Sequence, residues 1–232
     1  MSDITNVLFL AFPNVGEQDL LAPWELFKAL AFDLDQQGET LNVTLGSFEG
    51  GLVTTHMGAQ IQTEQVSPDD RYDLIYVPGG IGGGAASLDP QILDFIRAHH
   101  ADGRWVAANC AGVGVVFRSG ILDGVSFQAA AVLGRRLREL GADVAAPRRA
   151  WSVLPEHKIF TSGGAATVHP STIALITELF GKERAAALAG TWDTLPLHGD
   201  SLFELEGPIS NDNADFVAGL QSGMEKVFLP VA

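Results

Sequence analysis

Hydrophobic residues occur along this chain in short continuous runs, separated by longer segments in which they recur at helical spacing. A strand buried on both faces of a parallel sheet gives a continuous run, whereas an amphipathic helix places its hydrophobic residues three or four positions apart. The runs that predict strands are 7–12, 41–48, 73–77 and 105–108. The segments that predict helices are 19–30, 89–99, 112–119, 129–140, 170–180 and 182–189.

Two pairs of shorter runs predict hairpins, one at residues 52–62 and one at residues 150–161 around Pro155-Glu-His157. Because strands alternate with helices over most of the chain, the pattern favours an α/β fold, a doubly wound and mainly parallel sheet sandwiched by helices. We expect a single domain over residues 1–232, in which residues 191–232 form a tail that wraps the surface.

Composition and charge narrow the class of protein. The 232 residues are 47% hydrophobic and carry a formal net charge of −14, with 14 Lys and Arg in total. Phosphate binding needs clustered cations, so nucleic acid and anionic membrane surfaces are disfavoured as partners. The first residues lack a basic region, and the run 7–12 is too short for a signal peptide core or a membrane span. We therefore expect a soluble, cytoplasmic protein.

Cys110 is the only cysteine, which excludes an internal disulfide and a cysteine-rich zinc site. A lone cysteine is either a small buried hydrophobic residue or a reactive thiol. Here it ends a predicted strand and precedes a predicted helix, which is the elbow arrangement that presents nucleophiles in α/β enzymes. Unpaired amides at the helix N-terminus would lower the pKa of its thiol. Cys110 is thus the candidate nucleophile.

Other predicted strand ends meet Cys110 at the edge of such a sheet where ligands bind. Asp19, at the start of the first helix, is the candidate acid–base group, although an ordinary helix cap would also place an Asp there. The backbone amides of Gly79, Gly80 and Ala111 could form an oxyanion hole. The surrounding glycine run lacks the ending of a phosphate-binding loop, so nucleotide binding is disfavoured.

The remaining ionisable residues give weaker indications. Glu17 competes with Asp19 for the acid–base role, but we interpret it as a solvated loop residue. The histidines show no spacing typical of metal ligands, so we expect no metal site. His56 and His198 could reach the pocket. His99 and His100 end a predicted helix, where they favour the helix dipole, and we expect them to face solvent.

Six segments together resemble the ThiJ/PfpI superfamily, and within it most closely the isonitrile (isocyanide) hydratases. The matching segments are 12–23, 72–80, 89–97, 109–112, 120–124 and 161–164. The resemblance implies a flavodoxin-like fold, of the kind shared with class I glutamine amidotransferases, in a homodimer without a cofactor. It carries the acidic residue of the family onto Asp19, the nucleophile onto Cys110, and the glycine pair onto Gly79 and Gly80.

For an isonitrile hydratase, the resemblance implies that the Cys110 thiolate attacks the terminal carbon of a small isonitrile while Asp19 assists proton transfer. Hydrolysis of the resulting thioimidate would release an N-substituted formamide. The chain departs from those hydratases at Ala111, where they usually have threonine, and at residues 127–131, which replace a Thr-Thr-His-Trp-like segment. We therefore expect a roomier and more apolar pocket. The residues expected to line it are Ile81, Trp24, Ala130, Gly163 and His56.

Two other functions stay open at this point. One is glyoxalase- or deglycase-like action on α-oxoaldehydes. The other is a non-enzymatic role, as a redox sensor or ligand-binding protein that uses Cys110 as an oxidisable thiol. The homodimer that the resemblance implies could bury Trp24, Val116 and Phe117 against the partner subunit.

Overall fold

The computed structural model of the chain describes residues 4–210 and 214–231. Its strands are β1 (Asn6–Leu10), β2 (Asn42–Ser47), β3 (Gly51–Thr54), β4 (Gln60–Gln65), β5 (Leu74–Val77), β6 (Trp105–Asn109), β7 (Trp151–Leu154) and β8 (Ile159–Ser162). Its α-helices are α1 (Glu17–Gln36), α2 (Gly83–Ala86), α3 (Pro90–Ala101), α4 (Gly112–Arg118), α5 (Ala131–Glu139), α6 (Val168–Phe180), α7 (Lys182–Thr191), α8 (Leu195–His198) and α9 (Ala214–Phe228). Across these described residues, no helix is both long enough and apolar enough to cross a membrane.

Within this part of the chain, eight strands form one sheet in the order β3-β4-β2-β1-β5-β6-β8-β7. The strands from β4 to β8 in that order are parallel, while β3 and β7 run antiparallel at the two edges. The doubly wound α/β sheet and both predicted hairpins are therefore confirmed. The chain winds outward in one direction from β1 and in the other from β5. The carboxyl ends of β1 and β5 thus flank the crevice in which such sheets bind ligands.

The core covers both faces of the central strands. Leu8 and Phe9 of β1 are fully buried, as a strand covered on both faces requires. The Phe9 ring stacks on Tyr76 of β5 with 5.1 Å between ring centroids, and it meets Phe27 of α1 edge-on at 5.5 Å. These contacts fix α1 against the sheet, so its first turn is held close to the ends of β1 and β5.

Helix α9 lies against α5 and is fastened to it by polar contacts. Arg135 of α5 forms an ion pair of 2.7 Å with Glu225, whose side chain is nearly buried, and Gln221 donates to the carbonyl of Ala131 at 2.9 Å. The end of the chain also covers α4, since Arg118 donates to the carbonyl of Pro230 at 2.7 Å.

Val116 is enclosed within a single chain. Only 1% of this α4 residue is exposed. The expectation that it faces a partner subunit was therefore wrong, because the fold of one chain already covers it.

Candidate active site

Cys110 lies at the sharp turn between β6 and α4. Its φ angle of 48° puts it in the left-handed region, which a residue with a side chain seldom adopts. The turn is held by the Cys110 amide, which donates to the carbonyls of Ser162 and Gly163 at 3.2 and 3.3 Å. A strained turn that the surrounding structure holds in place is typical of functional sites. It places Cys110, a residue of intermediate exposure, at the carboxyl edge of the sheet.

The backbone amides of Gly80 and Ala111 form hydrogen bonds with the sulfur of Cys110. The amide of Gly79, the third predicted donor, points elsewhere and donates to Oδ1 of Asn109 at 2.9 Å. Gly79 therefore contributes by its lack of a side chain. A Cβ atom at this position would lie 2.4 Å from the Cys110 Cβ and 2.6 Å from Asp19 Oδ2.

Asp19 stands beside the thiol and is 6% exposed. The thiol donates a hydrogen bond to its carboxylate, and the amide of Ala165 donates to its Oδ1 at 2.8 Å. Burial raises the pKa of Asp19 above its ordinary value, and the hydrogen bonds only partly offset this effect.

The thiol of Cys110 shows the opposite shift from the one expected. Burial, and then the charge of Asp19, raise its pKa to about 12, although the two amides act to lower it. The expectation of a lowered pKa was thus wrong, because the effect of an elbow on a thiol is outweighed by burial and a neighbouring carboxylate. The thiol and the carboxyl group resist carrying two negative charges, so the resting pair is a thiol donating to a carboxylate.

Gly164 completes the close packing around the pair. A Cβ atom there would lie 2.3 Å from the Cys110 Cβ, 2.7 Å from Sγ and 2.9 Å from Asp19 Oδ1. The sequence analysis predicted Gly163 as a pocket residue. In the structure, its carbonyl accepts a hydrogen bond from the Cys110 amide. The Gly-Gly pair at the end of β8 was the signal for this loop, but only the structure distinguishes its two members.

Asn109 connects the elements that carry the site and was missed by the sequence analysis. Its side chain is fully buried between β6 and the first turn of α1. Oδ1 accepts the Gly79 amide, while Nδ2 donates to the backbone carbonyl of Asp19 at 2.9 Å and to the Tyr76 hydroxyl at 3.2 Å. One amide side chain thus ties the Cys110 turn to the glycine loop and to Asp19.

Pro23 explains why the carbonyl of Asp19 is available to Asn109. In an α-helix the carbonyl of residue 19 accepts from the amide of residue 23. Pro23 lies inside α1 and has no amide hydrogen, so this acceptor has no helical partner. Asn109 supplies the missing donor, so the first turn of α1 is hydrogen-bonded to the residue that precedes the nucleophile.

An open cavity of about 570 Å³ leads to Asp19. The described residues that line it are Gly16, Glu17, Gln18, Asp19, His56, Met57, Ala59 and Ala165. His56 is thus the one predicted pocket residue that lines this cavity. Glu17 is not the solvated loop residue that we expected. It is the first residue of α1, and it accepts hydrogen bonds from the Thr55 hydroxyl and from the Met57 amide, the latter at 2.8 Å.

Three other predicted pocket residues lie outside the lining of this cavity. Trp24 follows Asp19 by five positions, which places it about 140° away around the helix, and it borders a separate groove with Val43 and Leu45. Ile81 packs against the hydrophobic core. Ala130 is buried next to the start of α5. Ala111 is also buried and does not border the cavity.

His99 does not face solvent. It is fully buried, and its Nε2 accepts the amide of Tyr72 at 3.1 Å. The expectation was wrong because the last turn of α3 packs against the sheet. Among the described residues, no cluster of three or more His, Cys, Asp or Glu side chains could hold a metal ion.

Comparison with known proteins identifies the family of this chain. The DJ-1/PfpI family matches residues 5–178, and the chain belongs to this family. An isonitrile hydratase from Pseudomonas putida is 31% identical over 178 residues, which cover 76% of this chain and 73% of that protein. Protein DJ-1 homolog B from Arabidopsis thaliana is 30% identical over 134 residues, which cover 57% of this chain and 30% of that protein.

Solved structures share the fold. A ThiJ/PfpI family protein from Pseudomonas syringae superposes with a TM-score of 0.73 at 17% identity, covering 98% of this chain and 91% of that one. Oxidized DJ-1 from Toxoplasma gondii superposes with a TM-score of 0.66 at 21% identity, covering 81% of this chain and 97% of that one. The sheet of this chain therefore has the flavodoxin-like architecture of the family.

Proposed function

We propose that this chain is a cysteine-dependent hydratase that adds water to an isonitrile, or to a related small electrophile, with Cys110 as nucleophile. The observation that carries the proposal is the contact of the Cys110 thiol with the carboxylate of Asp19 and with the amides of Gly80 and Ala111. A thiol beside a general base is an activated nucleophile even when its own pKa is high. The similarity to an isonitrile hydratase supports this choice of electrophile.

The reaction follows from the resting pair. Asp19 accepts the thiol proton as Sγ of Cys110 bonds to the terminal carbon of the isonitrile, and the same carbon then receives that proton from Asp19. The product is a thioimidate, R–N=CH–S–Cys110. Water adds to its carbon while the nitrogen takes a proton. The C–S bond then breaks, the sulfur regains its proton, and R–NH–CHO leaves.

The proposal is tested by incubating the protein with cyclohexyl isocyanide and measuring N-cyclohexylformamide by chromatography. We expect turnover by the wild type and by Asp33→Asn, which makes the same chemical change on the exposed face of α1. Cys110→Ala should abolish turnover, and Asp19→Asn should lower it by about 10²- to 10⁴-fold, the usual contribution of a general base. Retained activity in Cys110→Ala would refute the mechanism.

A second candidate is action on an α-oxoaldehyde. The amide pair at the sulfur favours it, because attack on a carbonyl develops an oxyanion, which backbone amides stabilise. Methylglyoxal in the same assay distinguishes the two candidates, since only one of the electrophiles should be consumed in a Cys110-dependent manner.

We also propose that the protein acts in the cytoplasm as a homodimer. Support for the dimer comes from the family resemblance and from the partly buried Trp24 and Phe117. Light scattering at micromolar concentration tests it, and a monomeric mass would contradict it.

A further inference from the structure

The charges around the cavity are unbalanced. Its ionisable lining residues are Glu17, Asp19 and His56, and the described lining includes neither Lys nor Arg. Cys110 does not itself line the cavity, but its thiol contacts Asp19, which does. An electrophile that reaches the thiol from this side therefore passes two carboxyl groups and no Lys or Arg of the described lining. The net charge of −14 for the chain adds to this potential rather than opposing it.

Glu17 is held in place as an anion. The Thr55 hydroxyl and the Met57 amide both donate to its Oε1, which fixes the side chain across the turn between β3 and β4. Burial acts to raise the pKa of Glu17, but these hydrogen bonds outweigh that effect and lower the pKa overall. Its position two residues before Asp19, in the first turn of α1, places this fixed charge in the same wall as the acid–base group.

We propose that Glu17 is a specificity-determining residue, and that the site admits uncharged or cationic electrophiles and discriminates against anionic ones. The inference rests on the proposed function in taking Cys110 as the nucleophile. The new element is that the substrate carries no carboxylate near its reactive carbon, since like charges in a partly desolvated cleft repel. An uncharged isonitrile fits this description, and an isocyano acid does not.

Two alkylating agents of nearly the same size test the inference without reference to hydratase activity. Iodoacetamide is neutral and iodoacetate is an anion, and Cys110 is the only thiol in the chain, so intact mass reports alkylation at one atom. The rate ratio of iodoacetamide to iodoacetate is divided by the same ratio for glutathione. The variants are Glu17→Gln, which can still accept from Thr55 and Met57, and Glu25→Gln as control. Glu25 is exposed on the same helix and does not line the cavity.

For the wild type we expect the normalised ratio to favour iodoacetamide. Glu17→Gln should reduce this preference by about threefold or more, as the removal of one charge at close range predicts. Glu25→Gln should leave it unchanged at physiological salt, where distant charges are screened. No preference in the wild type, or equal effects of the two variants, would overturn the proposal.

A second measurement uses the wild type alone, so its result does not depend on whether Glu17→Gln shifts the turn between β3 and β4. Salt raised to about 1 M should speed alkylation by iodoacetate and leave iodoacetamide unaffected, because salt screens only the charged pair. Equal responses of the two reagents would also contradict the proposal. Failure of the hydratase assay with a preserved alkylation preference would refute the reaction and not the charge selection.

Discussion

Replacement of Asn109 by Leu tests how the site is assembled. Leu has a similar size. It removes the donor to the Tyr76 hydroxyl, which keeps a hydrogen bond with Thr172, and it removes both the acceptor for the Gly79 amide and the donor for the carbonyl of Asp19. Both groups are buried, and each lies 2.9 Å from the Asn109 side chain. An unsatisfied buried group costs about 1–3 kcal/mol. We therefore expect Asn109→Leu to lower the free energy of unfolding by about 2–6 kcal/mol.

Pro23→Ala should rescue part of this loss. The alanine has an amide hydrogen that can donate to the carbonyl of Asp19 in the ordinary helical pattern, so one of the two unsatisfied groups regains a partner. Pro23→Ala alone should be mildly destabilising, because the more flexible unfolded chain loses more entropy on folding. The double variant should therefore be more stable than the sum of the single effects by about 1–3 kcal/mol.

Urea denaturation of the wild type, both single variants and the double variant gives the interaction energy directly. Rescue above about 1 kcal/mol supports the coupling between Pro23 and Asn109. If the two effects add within about 0.5 kcal/mol, Asn109 does not replace the helical donor that Pro23 lacks, and the proposed coupling is wrong.

Three further predictions concern the thiol and its neighbours. Gly164→Ala should lower kcat/KM by about 10²-fold, since displacing a catalytic group by ~1 Å has that effect. Gly163→Ala should change kcat/KM little, because its Cβ meets only the movable Thr167 side chain at 2.8 Å. Similar losses in both variants would show that the contact with Cys110 is unimportant. The raised pKa of Asp19 means that the folded protein binds this proton more tightly than the unfolded chain does. This difference stabilises the fold below pH 3.8 and is lost as pH rises through the folded pKa. Asp19→Asn should consequently stabilise the protein against urea at neutral pH and not below pH 3.8, and destabilisation at neutral pH would contradict this sign. Because the pKa of Cys110 is raised to about 12, its alkylation by iodoacetamide should accelerate steadily from neutral to alkaline pH, and a plateau beginning near neutrality would show that the thiolate forms far more easily.

The sheet could be predicted from the sequence because its central strands are continuous hydrophobic runs and its turns contain Gly and Pro. The strand at Leu74–Val77 and the one ending before Cys110 needed no tertiary information. The meeting of Asp19, the glycine loop and Cys110 followed from topology alone, since parallel strands bring their carboxyl ends to one edge.

The remaining features depend on contacts between residues far apart in the chain. Asn109 looks like any polar residue at a strand end, and its partners on α1 and on the loop after β5 become visible only in the fold. The same holds for Glu17, whose partners lie on the turn after β3. The pKa of Cys110 was predicted in the wrong direction because burial is a tertiary property, whereas the elbow is a local one.

The proposed reaction requires Cys110 to form a covalent intermediate with the electrophile. A single turnover of wild-type protein with cyclohexyl isocyanide, quenched by acid at successive times and followed by intact and peptide mass spectrometry, tests it most directly. We expect a transient mass increase equal to the mass of the isonitrile, located on the peptide that contains Cys110, which decays as N-cyclohexylformamide appears. Formation of the formamide while Cys110 stays unmodified at every quench time would contradict it.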